Sequence, residues 1–137
     1  DTDGNIGYVL TGRTPVRKGE RGSELFPLKG WTGSDSWDEF LPHKDLPKAL
    51  NPKKGYIISA NHTTVDYGEY KHYLGSVFKA GYRAIAIERS LKESMAKGKI
   101  CVKAMQRLQL STFSVAAREF VEIVRTFSSE SLSICGE

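Results

Sequence analysis

All five prolines of this 137-residue chain (Pro15, Pro27, Pro42, Pro47 and Pro52) and six of its thirteen glycines fall between Gly12 and Gly55. Proline has no N–H for a ladder or a helical turn, and glycine loses the most backbone freedom on ordering, so long regular elements are disfavoured there. The stretch is expected to be a long loop over 12–54. Loops of that length are uncommon in compact domains and are usually functional or wrapped over a larger body. Trp31, Trp37 and Phe40 lie within it, and rings of that size are costly when left singly in water, which points to packing on another surface. Arg13, Arg17, Lys18 and Arg21 could form an anion patch, but Glu20 and Glu24 among them make a solvated loop the simpler reading.

Regular structure is expected on either side. Asp3-Gly4 is a signal of the type I′ hairpin turn, whose two central positions need positive φ. A strand over 5–11 follows, with Ile6, Tyr8 and Leu10 on one face. Its partner should precede Asp3, so the chain is expected to start inside something longer. The β-branched run Gly55-Tyr56-Ile57-Ile58-Ser59-Ala60 predicts a second strand over 55–61 that delivers Asn61 to its end. Helices are expected after about residue 66. Tyr70, Tyr73, Leu74, Val77 and Phe78 share one helical face, as do Ala84, Ile87, Leu91 and Met95, with Gly81 and Gly98 placed as stops. Val102, Met105 and Leu108, then Phe113, Ala116, Phe120, Ile123, Val124 and Phe127, mark a further amphipathic stretch with a break near Ser111-Thr112. Residues 128–137 read as a flexible tail. Strands before helices make the class α+β, and two strands are marginal unless they join a larger sheet.

Composition bounds the rest. At ~150 residues per domain the length predicts one domain or a part of one. With 39% hydrophobic and 26% charged residues the chain lies outside the composition of disordered chains. A net charge of +4 is too small for a nucleic-acid-binding footprint, and no nucleic-acid partner is expected. No run of eighteen apolar residues exists for a membrane span, and Asp1 to Asn5 has the character of neither region of a signal peptide. Cys101 and Cys135 have neither zinc-site spacing nor the number of a disulfide framework, which leaves the redox compartment open.

Chemistry-bearing residues are few. His43, His62 and His72 form no metal pattern with Asp45, Asp66 or Glu69; His62 and Asp66 are i, i+4 only if a helix has begun there. Asn61-His62-Thr63 matches a glycosylation sequon, a pattern common by chance, and a buried strand end is a poor acceptor. An amide on a rigid strand end can donate to an oxyanion, so Asn61 is a candidate catalytic residue; the alternative is a local Asx turn. Arg83 could bind a carboxylate or hold catalytic groups, or be a surface residue in an i, i+4 pair.

The runs DGNIGYVLTGRTPVRKGE (Asp3 to Glu20), PLKGWTGSDSW (Pro27 to Trp37), LP (Leu41-Pro42), NPKKGYIISAN (Asn51 to Asn61), GYRAIAIERSL (Gly81 to Leu91) and MQRLQLSTFSVAAREFV (Met105 to Val121) together resemble the penicillin acylase family, over nearly the whole chain to about Val124. The resemblance implies part of the αββα sandwich of an N-terminal-nucleophile hydrolase, made by autocatalytic cleavage of a precursor. It implies a partial catalytic domain over 1–127 from the larger chain, with the rest of the precursor as partner and a small acylated amide as substrate. The Ser nucleophile would lie upstream, so this segment alone is expected to be inactive. Asn61 would correspond to the family's oxyanion donor and Arg83 to its active-site Arg. No cofactor is implied. Some members hold a structural calcium with an acid where this chain has Lys71 and His72, so calcium is not expected here. Members are usually periplasmic or secreted. The alternative is a degenerate, catalytically inactive member acting as a binding module.

Overall fold

The computed structural model describes residues 1–134, in one unit that ends at Lys79 and another that starts at Ala80. Its elements are strands β1 (Gly7–Val9), β2 (Pro15–Val16), β3 (Glu39–Phe40) and β4 (Lys48–Leu50), followed by helices α1 (Tyr82–Ala96), α2 (Val102–Gln109) and α3 (Val115–Ile134). The class is α+β, with strands before helices.

In the first unit, β1 pairs antiparallel with β4, Tyr8 opposite Ala49. The strand expected over 5–11 is therefore shorter, although Leu10 N–H to the Pro47 carbonyl (2.9 Å) and Asn51 N–H to the Ile6 carbonyl (2.9 Å) prolong the ladder at both ends. The type I′ turn does not form. The turn spans Asp1 to Gly4, closed by Gly4 N–H on the Asp1 carbonyl, and the Asp1 carboxylate accepts the N–H groups of Asp3 and Asn5. Asp first and Gly fourth suit a type I turn, which needs no positive φ at its centre.

The loop expected over 12–54 carries three of the four strands. β2 pairs with β3, Pro15 opposite Phe40, and Lys18 bridges to Asp38 at 3.0 Å. The Arg13 guanidinium lies 4.0 Å from the centre of the Phe40 ring, which meets Trp37 edge-on at 5.5 Å. Strands of two or three residues have no legible alternation, so the sequence hides them. Leu41 and Leu46 are buried beside these ladders. Trp31 is 84% exposed and Trp37 about half exposed, with the edge contact to Phe40 on one side of Trp37.

Two expectations are corrected here. Residues 55–61 form no ladder, the described strands pairing only as β1 with β4 and β2 with β3; Tyr56 and Ala60 are nevertheless buried. Residues 70–78 are not helical, and the first α-helix starts at Tyr82 rather than after residue 66. The spacing was that of a helix, but the tyrosines use their hydroxyls. Tyr67 donates to the Gly75 carbonyl (3.1 Å), Tyr70 to the Asp45 carbonyl (2.6 Å), and Tyr73 to the Glu24 carboxylate, which also accepts from Ser76 (2.8 Å). Gly75, at φ 124°, lies where no right-handed helix can pass. Arg21 reaches the same cluster, 5.8 Å from the Tyr73 ring centre.

In the second unit the periodicity holds. α1 packs on α2 and α3, with Leu91 and Val115 buried. Gly98, at φ 120°, follows the end of α1, where a left-handed residue closes a helix without a Cβ penalty. The expected break falls at 110–114, where Ser114 Oγ accepts the Ala117 N–H at 3.2 Å and so caps α3. The tail expected over 128–137 is corrected to helix as far as Ile134, since no Pro or Gly interrupts 115–134. Cys135 lies outside the described residues, and Cys101 is exposed with a free thiol.

Truncating Leu91 to Ala should cost about 2–3 kcal/mol in urea unfolding, whereas the same change at Leu110, 80% exposed, should cost under about 0.5 kcal/mol. Equal losses would remove Leu91 from the core. The hydrogen bond from Tyr73 holds the Glu24 carboxyl at about 2, below its ordinary 4.5. A depressed carboxyl pKa adds stability that is present above 4.5 and lost as pH falls towards about 2. The midpoint of thermal unfolding should therefore drop through that window in the parent chain and vary less with pH in Glu24→Gln.

Candidate functional site

Asn61 ends the run anchored by buried Tyr56 and Ala60. Its φ is 60°, in the left-handed region that asparagine tolerates better than most residues but that still carries strain of about 1 kcal/mol. Its carbonyl accepts the Lys79 N–H at 2.8 Å. The backbone is thus fixed by its neighbours while the residue stays exposed. Asn51, at φ 45°, is the other non-glycine left-handed residue among those described. Its side chain accepts from Ile6 N–H (2.9 Å) and donates to Asn5 (2.7 Å), a structural use of the same conformation.

His62 follows Asn61 and lines a recess of about 210 Å³ with Lys48, Lys54, Tyr8, Ile57 and Ile58. Its Nδ1 is withdrawn from solvent and has no hydrogen-bond partner. The Lys54 ammonium lies 4.9 Å from the Tyr56 ring centre. Sequence reasoning missed this grouping because it joins residues from β1, β4 and the 52–64 segment. The only local signal was a His directly after the candidate Asn, downstream of Lys53-Lys54. The helix that would align His62 with Asp66 is absent, and Asp66 instead accepts the Gly68 N–H at 2.8 Å.

Arg83 is the second residue of α1 and is exposed. That first turn has no acidic residue, and Gly81 supplies no side-chain cap. A cation there opposes the helix dipole, typically by about 0.3–1 kcal/mol. Arg83 lines a cleft of about 760 Å³ with Arg89, Arg118, Ile87, Met105 and Phe113. Arg118 is paired with Glu122 at 3.0 Å. Asn61 belongs to the first unit and Arg83 to the second, and each is described within its own.

Of the basic loop residues, Arg13 covers Phe40, Lys18 pairs with Asp38 and Arg21 faces Tyr73. These contacts favour the solvated-loop reading over an anion patch. Lys71 and His72 do not fit a calcium ion: neither offers a hard anionic oxygen, and His72 Nε2 stands 4.0 Å from an Asp45 carboxylate oxygen. Among the described residues no group of three or more His, Cys, Asp or Glu side chains could hold a metal. No described helix is long and apolar enough to cross a membrane.

The sequence pattern of the penicillin amidase family matches residues 1–134. The penicillin acylase 2 proenzyme of Pseudomonas sp. (strain SE83) is 33% identical over 96 residues, 70% of this chain and 12% of that protein. The acyl-homoserine lactone acylase QuiP of Pseudomonas syringae pv. tomato is 34% identical over 110 residues, 80% of this chain and 13% of the relative. The penicillin G acylase of Escherichia coli is 43% identical over 63 residues, 46% of this chain and 7% of the relative. The chain thus spans about an eighth of the first two relatives and less of the third. With its family pattern matched from Asp1 to Ile134, the chain belongs to the penicillin amidase family.

Proposed function

We propose that this chain is part of an amidohydrolase that cleaves the linear amide of a small acylated molecule, with Asn61 as oxyanion donor. The observation that carries the reading is the left-handed corner at Asn61, held by the Lys79 N–H and following buried Ala60. A strained, fixed position bearing an amide suits a preorganised donor, which needs no reorganisation when charge develops. The relatives named as acylases of penicillin and of acyl-homoserine lactones support the reaction class.

The nucleophile in this reading is a Ser outside residues 1–137. Its oxygen attacks the amide carbon while its proton passes to a base, and the carbonyl oxygen becomes an oxyanion. The Asn61 Nδ2–H donates to that oxygen. Collapse expels the amine, which takes the proton, and water then releases the acid from the acyl-enzyme. Arg83 acts as a positioning residue; its guanidinium presents fixed donors that a lysine cannot reproduce. The remainder of the precursor is the partner this reading requires.

In the complete gene product, Asn61→Ala and Asn61→Gly should each lower kcat/KM for amide hydrolysis ~100 to 1,000-fold, about 3 to 4 kcal/mol in barrier. Glycine keeps the left-handed backbone available, so a loss in both variants separates chemistry from folding. Near-parental turnover in Asn61→Gly would sink the assignment. Arg83→Ala should impair turnover without recovery in Arg83→Lys; an unaffected enzyme makes Arg83 a surface residue.

A further inference from the structure

We infer that the recess beside Asn61 is a subsite for a small carboxylate. The inference deepens the amidohydrolase reading and rests on it for the role of the carboxylate in substrate. Three observations in one unit converge. The recess, about 210 Å³, is lined by Lys48, Lys54 and His62 and by no acidic residue, so its field favours an anion. The Nδ1 of His62 is buried without a partner, and such an atom in a folded protein calls for an explanation, because leaving it unpaired is costly. As an N–H tautomer it would donate to a carboxylate oxygen. Ile57, Ile58 and Tyr8 supply apolar walls for a few carbons behind the charge. The volume lies below the ~300 to 1,000 Å³ of whole-ligand pockets, which limits the occupant to one end of a substrate.

The sequence links this recess to the proposed chemistry. His62 is the residue after Asn61, so a carboxylate held there tethers the substrate one residue from the oxyanion donor. That carboxylate has two possible sources, the acyl group or the amine that leaves. Either would be gripped by the two ammonium groups and the imidazole, while a neutral amide or lactone end would not.

The binding test is an NMR titration of the His62 ring in this chain, with butyrate and its neutral counterpart butyramide. Butyrate should shift the ring signals saturably, with Kd on the order of 1 mM to 10 mM, and butyramide should not. Lys48→Gln/Lys54→Gln should weaken butyrate about tenfold or more. Should that double variant unfold, Lys54→Gln alone, outside every strand, makes the same test. No saturable shift, an equal response to butyramide, or undiminished binding in the variants overturns the subsite. For the source of the charge, the complete gene product is assayed on three amides: carboxylate on the acyl side, on the amine side, and on neither. About tenfold higher kcat/KM for one charged substrate supports the subsite and names its side; equal values for all three overturn its role in substrate selection. Failure to hydrolyse any of the three counts against the amidohydrolase reading and leaves the subsite to be decided by the butyrate titration.

Discussion

A segment with little regular ladder still has to bond its backbone polar groups, and in residues 1–79 side chains carry much of that burden. Unpaired buried N–H and C=O groups are rare in folded proteins because each costs as much as a lost hydrogen bond. Here Tyr70 and Asn51 bond backbone atoms that are distant in sequence, Tyr67 closes the 66–78 segment on itself through the Gly75 carbonyl, and Glu24 gathers Tyr73 and Ser76 from about fifty residues away. These polar ties, more than strand pairing, hold the 66–78 segment against the earlier loop. They are also selective, since a hydroxyl that reaches a carbonyl 25 residues away fixes one path for the chain.

That dependence explains what the sequence could and could not disclose. Helix formation is local, so α1, the stop at Gly98, the break before α3 and the apolar faces were legible from spacing. The stretch Tyr70 to Phe78 has the same spacing but a different fate, because its tyrosine hydroxyls have partners elsewhere and Gly75 takes a positive φ. Periodicity counts apolar surface and is blind to where a phenol ends. Residues 55–61 show the converse limit: a strand is a property of two chains, and β-branched composition cannot supply the second. β2 and β3 were invisible because two-residue strands carry no alternation at all.

The candidate site divides along the same line. Asn61 and Arg83 were singled out by position and then by the family resemblance, and the match over 1–134 supports that membership independently of any structural element. The left-handed corner at Asn61 left no mark in composition, since Asn51 adopts it for a structural purpose only ten residues earlier. The recess at His62 was not legible, because its walls come from β1, β4 and the following segment, brought together by a ladder that the sequence only half disclosed.

The small core gives the polar ties their weight. Among the described residues the buried apolar side chains are Leu41, Leu46, Tyr56, Ala60, Leu91 and Val115, whereas Phe26, Trp31, Phe120 and Phe127 are each more than 60% exposed. At about 25 cal/mol per Å² of apolar surface withdrawn from water, so few buried groups leave little stabilisation to set against conformational entropy. A single Glu24 cluster or Asn51 corner then accounts for a larger share of the net than it would in a well-filled core. Burial of Phe26, Trp31 and the exposed face of α3 against further protein would shift that balance without altering the local ties. The backbone corner at Asn61 is tied by the Lys79 N–H within its own unit, a local hydrogen bond that belongs with the polar ties rather than with the apolar surface.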